Sequence, residues 1–114
     1  MRQTVLLDID GTLVYHQKNL HNMMDKFDVI PGTIEKFLEW RSKDYYIILT
    51  TARPEGIRSC LEKQLHSAGL FYDQLIMGLP TGCRTVINDR KPSGLNTAKA
   101  ICLDRDLGIK DITL

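Results

Sequence analysis

Apolar residues in the first half of the chain occur in two short runs that show no alternation with polar residues. The first run, Val5 to Ile9, is closed by Gly11, and the second covers Tyr45 to Leu49. Runs of this length without alternation are typical of strands that are buried on both faces. We therefore predict two buried strands, at 5–9 and 45–49.

Two segments with helical spacing of apolar residues follow these strands. The first covers about residues 32–42, directly after Pro31, and the second starts after Pro54 and ends near Gly69. A proline at the start and a glycine at the end suit helix termini. The apolar faces are formed by Ile34, Phe37 and Leu38 in the first segment and by Ile57, Leu61 and Leu65 in the second.

Three weaker segments continue the pattern, at Gln74–Met77, Thr85–Asn88 and Ala98–Leu103. Strands that alternate with helices indicate a parallel α/β sheet that is covered on both faces. The stretch Tyr15–Val29 interrupts this alternation because it is polar with scattered apolar residues, and we expect a flap or short hairpin there.

Composition changes this picture little. The 114 residues are 43% hydrophobic and 25% charged, which predicts one globular domain at 1–114, and the formal charge of +1 does not favour nucleic acid or an acidic membrane as a partner. The cysteines are odd in number and never form a C-x-x-C pair, so we expect neither disulfides nor a zinc site. No run of about 20 apolar residues is present. A cytoplasmic protein without membrane attachment is expected.

The candidate chemistry lies at Asp8-Ile9-Asp10-Gly11-Thr12, directly after the first predicted strand. Carboxylates at positions i and i+2 of a strand point the same way, and they repel each other unless a cation or a shared proton lies between them. With Mg²⁺ there, one carboxylate could attack phosphorus while the other exchanges a proton with the leaving group. Gly11 permits a sharp turn behind them. The competing interpretation is an ordinary Asp-Gly turn.

Asp8 to Thr12 resembles the first signature of the haloacid dehalogenase superfamily. The resemblance implies that Asp8 is the nucleophile and Asp10 the general acid/base. An Asp at the second place is found in the phosphatases and phosphotransferases of that superfamily. The implied fold is a three-layer, Rossmann-like α/β domain with a five-stranded parallel sheet flanked by helices, and the chain has no room for a cap domain.

The second signature of that superfamily, a Thr or Ser that holds a phosphoryl oxygen, is similar to Thr50-Thr51-Ala52-Arg53. We assign this role to Thr51, with Thr50 as the alternative. Arg53 would then face the substrate, and Gly11 and Thr50 are its expected neighbours in substrate binding. Without the resemblance, these threonines are simply β-branched residues at a strand end.

The fourth signature, acidic residues that complete a magnesium shell, resembles Asn88-Asp89-Arg90, in which Asn88 replaces an Asp. The implied ligands are Asp8, Asp89 and the main-chain carbonyl of Asp10. Such a sparse set of oxygens suits Mg²⁺. As a bare Asn-Asp pair the motif is also typical of a turn.

The third signature departs from the pattern. In Gly78-Leu79-Pro80, Leu79 stands where many relatives have a lysine that pairs with the nucleophile. We assign this role to Arg84, with Lys91 as the second candidate, because a guanidinium can make the same charge-assisted contacts.

The resemblance implies a Mg²⁺-dependent phosphatase that hydrolyses a phosphomonoester through an aspartyl-phosphate. An open site suits large or extended substrates, or a lid borrowed from a neighbouring subunit of a homo-oligomer. A sugar phosphate, a nucleotide and a polynucleotide end are all compatible, and the short motifs resemble the phosphatase domain of polynucleotide kinases. Two alternatives stay open: a catalytically weakened domain that binds a phosphorylated ligand or a protein partner, and a phosphotransferase.

Overall fold

The computed structural model describes residues 2–114 as a mixed α/β protein built on a parallel sheet. The strands are β1 (Thr4–Asp8), β2 (Tyr46–Thr50) and β3 (Gln74–Ile76), arranged in the order β1-β2-β3. Asp8 is in register with Thr50, and Thr50 is in register with Ile76. All three strands therefore end at the same edge of the sheet.

Helices connect these strands as the apolar spacing predicts. Helix α2 (Thr33–Ser42) lies between β1 and β2, and α3 (Arg58–Ala68) follows β2 after a 3₁₀ turn at Glu55–Ile57. Gly69 ends α3 in the left-handed conformation, with φ of 76°, which glycine adopts without strain. No helix among residues 2–114 is long and apolar enough to cross a membrane.

The core lies between one face of the sheet and the two long helices. Ile47 and Leu49 of β2 are fully buried, and the helices contribute large side chains. The predicted face of α2 is wrong at Leu38, which is 61% exposed, because the buried face of α2 turns toward Trp40 instead. The principal helix residues in the core are Phe37, Trp40, Leu61 and Leu65. Leu6 of β1 is half exposed, at 51%, so β1 is not buried on both faces as its apolar run predicted.

The prediction of a five-stranded sheet is wrong for the part of the chain that the structure describes. Thr85–Asn88 and Ala98–Leu103 are not strands, and their apolar side chains other than Leu103 are exposed, with Ile87 at 92%. Thr85–Asn88 is only four residues long, and three of the five apolar residues in Ala98–Leu103 are the small Ala98, Ala100 and Cys102, so each segment offers little apolar surface to bury against a sheet. Leu103 packs against the core, and Ile109, which is 1% exposed, is part of it.

The segment 15–29 contains a short helix that the sequence pattern did not predict, α1 (Leu20–Asp25). Asn19 caps it by accepting a hydrogen bond from the Asn22 main-chain N–H at 2.9 Å. The base of the segment is closed by an antiparallel bridge between Val14 and Val29. Its ends therefore pair as in a hairpin, while its middle is helical.

Candidate active site

Asp8 and Asp10 lie at the carboxyl end of β1, on either side of Ile9, whose side chain is fully buried. The chain then turns sharply at Gly11, which has φ of 81°. The Asp8 side chain is 39% exposed and that of Asp10 is 14% exposed. The Thr12 hydroxyl donates to Asp8 Oδ2 at 3.3 Å. One carboxylate is thus open to solvent and the other is largely covered.

Arg84 contacts the exposed carboxylate. Its Nη1 lies 3.1 Å from Asp8 Oδ1, and its side chain is 39% exposed. Arg84 belongs to the segment that follows β3, so the contact joins distant parts of the sequence. The structure thus brings together the predicted nucleophile and the cation that was expected beside it.

Arg53 contacts the covered carboxylate. Its Nη2 lies 2.7 Å from Asp10 Oδ1 and its Nε lies 2.9 Å from Asp10 Oδ2, which makes a bidentate pair. The Arg53 side chain is fully buried. The sequence analysis expected Arg53 to face the substrate, but in the structure its guanidinium is bonded to the protein.

The remaining edge of this guanidinium is held by α3 and the end of α1. Arg53 Nη1 donates to the main-chain oxygen of Met23 at 3.1 Å and to Gln64 Oε1 at 3.2 Å. Its Cζ lies 5.8 Å from the centre of the Phe27 ring, within the range of a cation–π contact. Arg53 is therefore surrounded by partners on all sides.

The two threonines at the end of β2 have different surroundings. The Thr50 hydroxyl donates to the main-chain oxygen of Leu7 at 3.1 Å, which fastens β2 to β1. The Thr51 hydroxyl accepts from the Arg53 main-chain N–H at 3.1 Å and lies 3.5 Å from Asp10 Oδ2. Thr51 is therefore the one whose hydroxyl lies beside an acidic side chain of the candidate site.

Gly78-Leu79-Pro80 lies next to these threonines. The Leu79 main-chain N–H donates to the main-chain oxygen of Thr51 at 3.1 Å. The Gly78 main-chain N–H donates to the main-chain oxygen of Arg53 at 2.8 Å. The segment with the third signature is thus at the edge of the site, although it carries no cation there. The side chain of Arg84 supplies one from further along the chain.

Asp89 lies in an exposed loop, where its main-chain oxygen accepts a hydrogen bond from the Thr97 hydroxyl. Lys91 belongs to the same loop and bonds through its main chain to Leu95. Within residues 2–114, no three or more His, Cys, Asp or Glu side chains gather as a metal site. The structure therefore does not bring Asp89 together with Asp8 and Asp10.

The residues that are present suit a magnesium ion in part. Mg²⁺ is usually bound by one or two carboxylates together with waters and substrate phosphates. Asp8 offers an accessible carboxylate at the sheet edge, and Asp10 can add its main-chain carbonyl, since both of its carboxylate oxygens are bonded to Arg53. These oxygen donors fit a magnesium ion without requiring a complete cage of protein ligands.

Sequence reasoning missed two side chains that support the site. Gln64 holds Arg53, and Asp106 Oδ1 accepts the His16 main-chain N–H at 2.8 Å. The Asp106 main-chain N–H also donates to the Gly11 oxygen at 2.8 Å, so the last part of the chain fastens the turn after Asp10. Neither residue belongs to a motif, and the sequence carried no signal for its role.

A second arginine–carboxylate pair lies just beyond the site and is useful for comparison. Arg58 donates to both carboxylate oxygens of Glu55, at 2.7 and 2.8 Å. The hydrogen bond from Arg58 lowers the pKa of the Glu55 carboxyl. Because the Glu55 side chain is 60% exposed, this pair has the geometry of the Arg53–Asp10 pair but not its burial.

No family model matches the sequence, and no curated protein matches it at a significant level. Several solved structures have a similar fold. One is D,D-heptose 1.7-bisphosphate phosphatase from B. bronchiseptica complexed with magnesium and phosphate, with a TM-score of 0.53 and 21% identity over 71% of this chain and 54% of that chain.

Two further structures have comparable scores. A chain of the Pnkp1/Rnl/Hen1 complex has a TM-score of 0.58 and 22% identity, over 74% of this chain and 30% of its own. A protein from Vibrio cholerae has a TM-score of 0.55 and 19% identity, over 80% of this chain and 85% of its own. The chain thus spans about half of the heptose bisphosphate phosphatase and less than a third of the matched chain of the Pnkp1/Rnl/Hen1 complex. These likenesses show that the chain shares the fold of these solved structures.

Proposed function

We propose that this chain is a Mg²⁺-dependent phosphohydrolase that cleaves a phosphomonoester with Asp8 as the nucleophile. One observation carries the proposal: Asp8, Asp10 and Thr51 lie together at the carboxyl edge of a parallel sheet, with Arg84 bonded to Asp8. Ligands of open α/β sheets bind at this edge. The fold shared with a heptose bisphosphate phosphatase supports the same reaction class.

The proposed reaction has two steps. Asp8 attacks phosphorus, the bond to the leaving oxygen breaks, and Asp10 gives that oxygen a proton. Asp10 then takes a proton from water as the water attacks the aspartyl-phosphate, which releases phosphate and restores Asp8. Thr51 and Arg84 hold the phosphoryl oxygens and offset their negative charge.

Asp8 and the main-chain carbonyl of Asp10 would hold the magnesium ion. A bound magnesium ion neutralises charge on the transferring group. We propose Asp89 as a further ligand, a role that rests on the sequence alone. Substrate binding by Gly11 and Thr50 is likewise a proposal from the sequence.

For the substrate, we propose a phosphorylated sugar, a nucleotide or a phosphorylated polynucleotide end. The similar structures include a heptose bisphosphate phosphatase and a chain of an RNA repair complex. We propose that the site has no cap domain, since the insertion between β1 and α2 holds only the short helix α1. The free state of Cys60, Cys83 and Cys102 supports a cytoplasmic location.

A second candidate function is a domain that binds a phosphorylated ligand without turning it over. It is favoured by the neutralisation of both carboxylates by arginines, which removes the repulsion that an unused acidic pair would otherwise suffer. Leu79 at the place of a catalytic lysine points the same way.

Phosphate release from p-nitrophenyl phosphate, phosphosugars, nucleotides and 3′-phosphorylated oligonucleotides, with Mg²⁺ and with chelator, tests the proposal. We expect magnesium-dependent release that is absent in Asp8→Asn and unchanged in Asp111→Asn, an exposed matched control. Retained activity in Asp8→Asn would exclude Asp8 as the nucleophile. No release from any substrate, with measurable binding of one of them, would favour the binding domain.

A further inference from the structure

We infer that Arg53 is a positioning residue that fixes the orientation of Asp10 and couples it, through Gln64, to the segment 15–29. The inference rests on the proposed function for its catalytic consequence, because it concerns the group that protonates the leaving oxygen. The structural coupling itself stands on contacts among Arg53, Asp10, Met23 and Gln64.

The bidentate pair determines the plane of the Asp10 carboxylate. Two parallel hydrogen bonds at 2.7 and 2.9 Å fix both oxygens of Asp10 relative to the Arg53 guanidinium. The Arg53 side chain is fully buried, so it cannot turn away without leaving an unpaired charge in the protein interior. Asp10 therefore has one preferred orientation, and Arg53 sets it.

The other edge of Arg53 caps the end of helix α1. The last carbonyls of a helix have no partner within the helix, and cations near that end are favourable. Met23 and Met24 present two of these carbonyls: Gln64 Nε2 donates to both, at 3.0 and 3.2 Å, and Arg53 Nη1 donates to Met23. Gln64 Oε1 also accepts from Arg53. Arg53, Gln64 and the Met23 carbonyl thus form a closed triangle.

This triangle joins three parts of the fold to Asp10. Arg53 follows β2, Gln64 lies in α3, and Met23 lies in the segment 15–29, which emerges from the same turn as Asp10. A shift of α1 must move the Met23 carbonyl and hence disturb the guanidinium that holds Asp10. The position of the segment 15–29 and the orientation of the acid/base are therefore coupled.

The test compares two variants with two matched controls. Arg53→Lys keeps the charge but loses the planar guanidinium that makes the bidentate pair. Gln64→Leu removes the Gln64 bonds to Met23, Met24 and Arg53, leaving the direct Arg53–Met23 bond, without touching Asp10. Arg58→Lys alters an arginine with the same bidentate geometry on the surface, and Gln74→Leu alters an exposed glutamine that donates to the Tyr46 hydroxyl.

Leaving-group dependence separates positioning from general damage to the fold. A general acid matters for an alkyl leaving group, such as that of glycerol 1-phosphate, and little for the nitrophenolate of p-nitrophenyl phosphate. We expect Arg53→Lys to lower kcat for the alkyl ester by about 100-fold, which is the scale of general acid catalysis, and kcat for the aryl ester by less than about 10-fold. Gln64→Leu should also lower the ratio of kcat for the alkyl ester to kcat for the aryl ester, by a smaller factor than Arg53→Lys does and with KM changed little. Both controls should keep the wild-type ratio.

Backbone amide hydrogen exchange over residues 19–28 provides a readout that needs no activity. Arg53→Lys and Gln64→Leu should accelerate exchange there, and the controls should not. An equal fall in kcat for both esters would overturn the positioning role, and unchanged exchange would overturn the coupling. A wild-type protein that releases no phosphate would overturn the proposed function and the catalytic part of this inference, whereas the exchange result would still decide the coupling.

Discussion

The Arg84 guanidinium lies 3.1 Å from the Asp8 carboxylate although 76 positions separate the two residues in the chain. The third signature of the superfamily resembled here has a lysine at the place of Leu79. In this chain the segment around Leu79 approaches the site through its main chain, whereas the positive charge comes from Arg84. A guanidinium at this place can contact two phosphoryl oxygens at once, which an ammonium does less readily.

Replacement of Arg84 should therefore impair turnover. We expect Arg84→Ala to lower kcat/KM by about 100-fold or more, the usual effect of removing one donor to a developing negative charge. Arg84→Lys should recover part of the loss. Arg90→Ala is the matched control, because Arg90 is an exposed arginine whose side chain donates to Asn96 Oδ1 at 2.9 Å. Steady-state kinetics on the preferred substrate provide the measurement. Equal activity of Arg84→Ala and Arg90→Ala would exclude the proposed role.

Much of the fold could be predicted from the sequence because its signals are local. The apolar runs and the i, i+4 spacing place β1, β2 and α2 within one position of their observed bounds and α3 within three, because its predicted first turn is the 3₁₀ turn Glu55–Ile57. The strand end that carries Asp8 and Asp10 follows from the first of these runs. Helix α1 was not predicted, because a six-residue helix offers too few apolar positions to establish a period.

The contacts of the two arginines could not be predicted, since they depend on tertiary structure. The motif places Arg53 near the site but does not say whether its side chain turns toward the substrate or toward Asp10. The answer depends on Gln64 and the end of α1, which lie 11 positions after and 30 positions before Arg53. The exposure of Thr85–Asn88 has the same origin, because apolar residues alone do not determine which sheet edge, if any, a segment joins.

The threonines at the end of β2 should have separable roles. Thr51→Val removes the hydroxyl beside Asp10, and we expect it to lower kcat by at least about 10-fold, since hydroxyl contacts to a phosphoryl group act in the transition state. Thr50→Val removes the bond to the Leu7 oxygen and should lower the free energy of unfolding by about 1 kcal/mol. Kinetics and denaturant unfolding of both variants check the assignment. A larger loss of kcat in Thr50→Val than in Thr51→Val would reverse it.

The buried pair of Arg53 and Asp10 should be visible in stability. Asp10→Ala leaves a fully buried guanidinium without its carboxylate, which costs about 3–5 kcal/mol of the free energy of unfolding. Adding Arg53→Met should recover a large part of this loss, because the double variant buries no unpaired charge. Glu55→Ala breaks the exposed pair with Arg58 and should leave the free energy of unfolding almost unchanged. Denaturant unfolding compares the three proteins, and an Asp10→Ala protein as stable as Glu55→Ala would contradict the burial of the charge.

Magnesium dependence tests the remaining proposed ligand. Chelation should abolish phosphate release and added Mg²⁺ should restore it, since the ion is proposed to neutralise the transferring group. Asp89→Asn should raise the Mg²⁺ concentration for half-maximal activity by about 10-fold or more if Asp89 binds the ion, because it removes a charged oxygen ligand. Asp104→Asn, another exposed aspartate of the same region, is the matched control. In the structure Asp89 lies in a loop apart from Asp8, so a ligand role requires the loop 88–97 to approach β1 when magnesium binds. If Asp89→Asn and the wild-type protein need the same Mg²⁺ concentration for half-maximal activity, Asp89 is not a magnesium ligand.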